Sequence, residues 1–179
     1  MQLVEADYAP HLIVGIRTGG LVVADAMSQS RPKPLPVLPL TCQRASTGAK
    51  TRLKLVRNAL AHLPQPVADA LRRLEHRWIT SRRTRQDRPQ TIDQAEATTL
   101  AAWLHAAPKP CRVLVADDAV DSGVTLATVL QALRHIGPTE MELRTAAITQ
   151  TLEHPKVVPD YLLYRGTLCR FPWSLDAAR

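Results

Sequence analysis

One stretch, Val113-Leu-Val-Ala-Asp117-Asp118-Ala-Val-Asp121-Ser122-Gly123-Val124-Thr125-Leu126, constrains the fold of this chain more than any other. Residues 112–116 read as a buried strand, and residues 122–136 place Leu126, Val129, Leu130 and Leu133 on one helical face before Gly137-Pro138 stops the helix. A tight turn joins the two. A strand that ends by projecting adjacent carboxylates, then turns into a helix, is a connection of open α/β sheets, whose ligands collect at the carboxyl ends of the strands.

The remaining pattern extends that unit. Residues 11–16 form a short apolar run stopping at Arg17-Thr18-Gly19-Gly20, and residues 21–27 have the composition of a helix lying on a sheet. Residues 35–40 read as a strand that Pro36 and Pro39 demote to an edge. Asp93 with Glu96 resembles a capping pair opening a helix to about His105, which buries Leu100 and Leu104. Further strands are expected at residues 143–149 and 161–164. Strands alternating with helices predict an α/β fold: a doubly wound, mainly parallel sheet with flanking helices. At 179 residues, the chain suits a single domain spanning 1–179.

Residues 43–89 do not follow this alternation. Leu53, Val56, Leu60 and Leu63, and after Pro64-Gln65-Pro66 the set Val67, Leu71, Leu74 and Trp78, recur at helical spacing. They predict a helical hairpin, followed by an arginine-rich exposed loop at 81–90. Residues 44–88 carry 12 Lys and Arg against three acids, whereas the rest of the chain is net −2, so the overall +7 belongs to this 44–90 insertion. An anionic substrate, a nucleic acid or an acidic partner would each suit such a surface, and so would a plain solvated helical face. The hairpin's two apolar stripes lead us to expect it to pack near the ligand cleft.

Composition narrows the class. With 45% apolar and 22% charged residues the chain matches ordinary globular proteins rather than disordered ones. No apolar run approaches the roughly 18 residues of a membrane span. The N-terminus lacks a charged start followed by a hydrophobic core. Cys42, Cys111 and Cys169 are odd in number and lack CxxC spacing, which argues against a disulfide framework or structural zinc and points to a reducing, cytoplasmic setting.

The turn at residues 121–125 would direct backbone N–H groups, two hydroxyls and a helix N-terminus at one point, an arrangement that suits an anion. Asp117 and Asp118 would repel a phosphate, but they accept hydrogen bonds from sugar hydroxyls and can hold Mg²⁺. A ribose bearing a 5-phosphate satisfies both halves.

Residues 113–125 resemble the phosphoribosyl-pyrophosphate (PRPP) signature of the type I phosphoribosyltransferases: four apolar residues, two acids, two apolar residues, then Asp-Ser/Thr-Gly-x-Thr. Gly15-Ile-Arg17-Thr18-Gly19-Gly20 is similar to that family's diphosphate-binding loop. Pro159-Asp160-Tyr161 with Phe171-Pro172-Trp173 looks like the C-terminal hood of the xanthine/guanine/hypoxanthine enzymes, the members nearest in pattern. A core role for Phe171 and Trp173 is the alternative.

The resemblance implies transfer of 5-phosphoribosyl from Mg²⁺-PRPP to a nitrogenous base, with release of diphosphate, as in purine salvage. Asp117, Asp118, Asp121, Ser122, Gly123, Val124 and Thr125 would bind PRPP, with Asp118 the candidate to touch Mg²⁺. Arg17, Thr18, Gly19 and Gly20 would bind diphosphate. Asp121 becomes the candidate general acid/base, and Arg17 is the second catalytic candidate. Gln150, Tyr161 and Leu168 would line the base pocket within a hood at 151–179. Where purine enzymes usually carry a Lys that reads the base, this chain has Thr149 and Gln150, and its counterpart of their stacking residue is Leu168. The implied partners are PRPP and a small-molecule acceptor, with a homodimer possible and no membrane. The rival reading is a PRPP- or nucleotide-sensing regulator that binds nucleic acid through the basic 44–90 segment.

Overall fold

The computed structural model describes residues 8–44 and 90–173. The expected basic helical hairpin and the arginine-rich loop expected after it therefore lie outside the described residues. Chain order among the described elements is β1 (Leu12–Ile16), α1 (Gly19–Gln29), β2 (Val37–Leu40), β3 (Cys42–Arg44), β4 (Gln90–Ile92), α2 (Gln94–Ala106), β5 (Cys111–Val120), α3 (Val124–Ile136), β6 (Met141–Gln150) and β7 (Tyr161–Arg165). The main sheet has strand order β2-β1-β5-β6-β7, and all four of its pairings are parallel.

Side-chain alternation assigns the layers. Ile13 and Ala116 pack with Val23 and Ala24 of α1. The intervening residues Leu12, Val14, Ile16, Val113 and Val115 pack on the other face with Leu100 and Leu104 of α2 and with Leu126, Val129, Leu130 and Leu133 of α3. Helices thus cover both faces, which makes the sheet doubly wound. Its central strands are continuous apolar runs because neither face meets water.

Gly15 lets α1 lie close to β1. A Cβ there would stand 2.6 Å from Leu21 Cα and 3.0 Å from Ala24 Cβ, so any side chain would push the helix away. The prolines of the second strand do place it at the sheet edge, where Pro39 pairs in register with Gly15.

Three expectations need correction. Gln43, set outside the strand–helix alternation, and Gln90, expected in the exposed loop, belong to β3 and β4, which form a separate two-stranded sheet; Cys42 Sγ donates to Gln90 Oε1 across it at 3.1 Å. β5 does not end at Ala116 but continues through the acid pair to Val120, because β6 pairs with it out to Val120↔Gln150. Asp93 does cap α2, accepting from Ala95 N and Glu96 N, both at 3.0 Å. Glu96, however, does not return to Asp93 as a capping box would have it. Asp93 N donates to Thr41 O, and the Glu96 carboxylate reaches Thr41 N at 2.6 Å and Arg17 Nε at 3.0 Å.

Candidate active site

The carboxyl end of β1 lies beside the middle of β5, with Gly15 in register with Ala116, the residue before the acid pair. The turn after β1 and the acids of β5 therefore meet on one edge of the sheet. At Gly20 a Cβ would stand 2.5 Å from Ala116 O and 2.9 Å from Asp117 Cα; at Gly19 it would collide with the Asp118 carboxylate. Glycine at both positions lets the amino end of α1 sit directly on the acid pair. The peptide between Arg17 and Thr18 is cis.

Asp117 is only 9% exposed, and its Oδ1 accepts from Asp118 N at 2.9 Å. Burial, followed by the nearby negative charge of Asp118, pushes its carboxyl up to about 8. The free protein thus keeps a proton where a ligand or cation would favour a carboxylate. Asp118 uses both oxygens: Oδ1 accepts from Ala119 N at 3.0 Å, and Oδ2 accepts from Trp173 Nε1 at 2.9 Å. Its position at the first residue of α1 also sets a negative group against the positive end of the helix dipole.

Past the acids, Asp121 is exposed and accepts a hydrogen bond from the Thr151 hydroxyl. Gly123 has φ +71°, the left-handed region, and a Cβ there would come within 2.7 Å of Val157 N. The segment after β6 wraps this turn, with Thr151 N donating to Val120 O at 3.0 Å and Lys156 N donating to Ser122 O at 2.7 Å. No side chain caps α3 at Gly123 or α1 at Thr18, whereas α2 has the Asp93 cap. Among the described residues, the two helices that follow β1 and β5 thus begin without a side-chain cap on their leading N–H groups.

Other predicted residues are distributed unevenly. Arg17 lies at the turn, but its guanidinium is paired with Glu96 at 3.0 Å. Gln150 does reach the carboxyl edge beside Val120 and is 2% exposed. Its Nε2 donates to Leu152 O at 2.8 Å, and its buried Oε1 has no hydrogen-bond partner among the described residues. Leu168 is 65% exposed. Tyr161 lies elsewhere: at the start of β7, in register with Ala146, it is partly buried against the Leu114–Ala146 cluster, away from the strand's carboxyl end.

Two contacts escaped sequence reasoning. Asp160, read as part of the hood, fastens β7 to β6 through Thr145. Trp173 packs on the Ile13–Val23–Ala24–Ala116 cluster and stacks on Phe171, yet its ring N–H reaches Asp118. The core reading of this tryptophan holds, and the ring N–H adds a contact to Asp118 that neither reading anticipated. No local signal gives the Trp173 contact, since its partner is 55 positions away.

A parallel, doubly wound sheet with two helix starts beside an acid pair is the arrangement of open α/β folds, whose ligands collect at the carboxyl ends of the strands. The sequence matches the family model described as phosphoribosyl transferase domain over residues 1–177, and the chain belongs to that family, whose chemistry is pentosyl transfer. Among solved structures, a purine phosphoribosyltransferase from Pyrococcus horikoshii is 20% identical, with a TM-score of 0.57 over 97% of this chain and 84% of that one. The Helicobacter pylori xanthine-guanine-hypoxanthine phosphoribosyltransferase is 16% identical, with a TM-score of 0.56 over 98% and 82%. A hypoxanthine phosphoribosyltransferase from Staphylococcus aureus is 14% identical, with a TM-score of 0.51 over 92% and 66%. No curated protein sequence matches the chain. Among the described residues, no helix is long and apolar enough to cross a membrane.

Proposed function

We propose that this protein transfers the 5-phosphoribosyl group of PRPP to a nitrogen of a purine-type base. The observation that carries the reading is the meeting of Gly19 and Gly20 with Asp117 and Asp118, which sets one N–H-rich turn on each side of an acid pair. The turn 121–125, with Ser122, Gly123, Val124 and Thr125, holds the 5-phosphate. Asp117 and Asp118 accept from the ribose hydroxyls. The N–H groups of Thr18, Gly19 and Gly20 receive the diphosphate, and Arg17 adds charge at the same loop once it leaves Glu96.

In the reaction the bond from C1 to the diphosphate oxygen breaks and a bond from C1 to the acceptor nitrogen forms. The acceptor's proton passes to Asp121, whose carboxylate is exposed and held by Thr151. Rate comes from positioning and from stabilising the departing charge. Gln150 and Leu168 edge the proposed base pocket.

The acid pair fits Mg²⁺, an ion that takes one or two carboxylates and completes its shell with phosphate oxygens and water. Among the described residues each Asp118 oxygen accepts one hydrogen bond, so lone pairs remain. Asp118, with Asp117 beside it, would hold the ion, which would neutralise charge on the diphosphate.

The test is a panel of free purines and pyrimidines, assayed for diphosphate release from PRPP with Mg²⁺. The wild-type chain should turn over at least one purine. The Asp117→Asn/Asp118→Asn double variant should stay folded and bind no PRPP. Unchanged PRPP affinity in that folded variant would end the proposal.

A further inference from the structure

The hydrogen bond between Trp173 and Asp118 joins the far end of the described chain to the centre of the cleft. We infer that Trp173 is a positioning residue for PRPP: its indole N–H fixes the Asp118 carboxylate in the orientation that receives the ribose. The inference rests on the proposed PRPP site and adds to it a residue outside the 113–125 signature.

The geometry supports a positioning role in three ways. First, a carboxylate on a strand end can rotate about its last torsion, but here each oxygen has a fixed donor, Ala119 N on Oδ1 and Trp173 Nε1 on Oδ2. The plane of the group is thereby set, and the remaining lone pairs have fixed directions. Second, the donor is itself held. Trp173 packs against the α1-side apolar cluster, and its ring stacks on Phe171 at 5.1 Å between centroids and 10° between planes. A rigid aromatic donor orients its acceptor at little cost in side-chain entropy. Third, the space is shared: a Cβ on Gly19 would come within 2.6 Å of Trp173 Nε1 as well as striking Asp118. The glycine turn, the acid and the indole therefore form one packed unit. A shift of the segment carrying Phe171 and Trp173 would be felt at Asp118.

Packing alone does not require this arrangement. An indole on an apolar cluster could leave its N–H to solvent, and a phenylalanine would fill the same cluster. The N–H is the part that packing does not explain.

The experiment compares wild type, Trp173→Phe and Phe171→Leu by calorimetric titration with Mg²⁺-PRPP, by steady-state kinetics and by thermal melting. Trp173→Phe keeps an aromatic ring and deletes only the donor. It should weaken PRPP about tenfold, the equivalent of about 1.4 kcal/mol, as expected for one hydrogen bond to a charged group. KM for PRPP should rise in step while kcat stays near wild type, and the melt should stay cooperative with its midpoint lowered by a few degrees at most. Phe171→Leu loosens the stack but keeps the donor, and its PRPP affinity should remain within about threefold of wild type. The inference is overturned by unchanged PRPP affinity in Trp173→Phe, by equal losses in both variants, or by loss of the cooperative melt in Trp173→Phe. Failure of the unmutated chain to bind PRPP would instead remove the reading beneath it, and the wild-type titration alone reveals that case.

Discussion

Asp160 and Thr145 clamp each other across β6 and β7. Asp160 Oδ2 accepts from Thr145 N at 2.8 Å and from Thr145 Oγ1 at 2.7 Å, and Asp160 N donates back to Thr145 Oγ1 at 2.9 Å. This pairing precedes the first register pair, Ala146↔Tyr161, and so sets where the edge strand begins. Replacing Asp160 with Ala leaves the N–H and hydroxyl of Thr145, which is 3% exposed, without their acceptor. Such a loss costs about 1–3 kcal/mol. Thermal melting of Asp160→Ala should show a decrease of several degrees, and an unchanged melting temperature would contradict the clamp.

Gly20 gives a second prediction, on steric grounds. The atoms facing a new Cβ at this position are backbone, Ala116 O at 2.5 Å and Asp117 Cα at 2.9 Å, so neither can rotate away. Gly20→Ala must lift α1 from β5, at a cost of about 1–3 kcal/mol. PRPP affinity should drop more steeply than stability, because the displaced elements carry both the turn and the acids. Calorimetry alongside melting separates the two effects.

Glu96 holds Arg17 through an exposed pair, Arg17 being 46% exposed, so the pair adds little to stability. Glu96→Gln keeps an acceptor for Thr41 N but removes the charge that competes for the guanidinium. Diphosphate should bind a few-fold tighter to this variant at low salt, and the gain should shrink as salt is added. If affinity falls instead, Glu96 supports Arg17 rather than restraining it.

Asp117 predicts a pH dependence, best read without Mg²⁺. Its folded carboxyl titrates at about 8, against an ordinary value of 3.8, so over that interval the folded state retains a proton that the unfolded state has released. Its contribution is fully present below the unfolded value and is lost as pH rises through the folded one. Asp117→Asn removes the titration. The melting temperature of the variant relative to wild type should therefore rise from pH 5 to pH 8, and a flat difference would refute the assignment.

The sequence carried the central βα unit openly. Val113 to Ala116 and the face of Leu126, Val129, Leu130 and Leu133 are buried, and they were legible as a continuous apolar run and as a helical period with a clear stop signal. The glycine turn was equally legible, since few residue types tolerate such close backbone contact. β3 and β4 were not: each is three residues long, and Cys42 meets Gln90 across 48 positions, too far for any local pattern. Glu96 misled for a different reason. Its spacing from Asp93 satisfies the capping-box rule, but a neighbouring strand and turn offered Thr41 N and Arg17 as stronger claims on the same carboxylate. Tyr161 was drawn into the base pocket by the motif around it, and only the register with Ala146 shows that it is partly buried against the Leu114–Ala146 cluster.

The bare starts of α1 and α3 have a consequence for anyone mapping this protein by substitution. A phosphate grip built from peptide groups has no side chain to delete. Alanine scanning across residues 121–125 would trim hydroxyls and the Asp121 carboxylate but leave the N–H groups in place, and the scan would understate what the turn does. Only changes that move the main chain, such as a side chain at Gly123 where φ is +71°, would release the anion. On the proposed reading, substitutions at Gln150 and Leu168 would shift base preference and leave the hold on the sugar phosphate untouched.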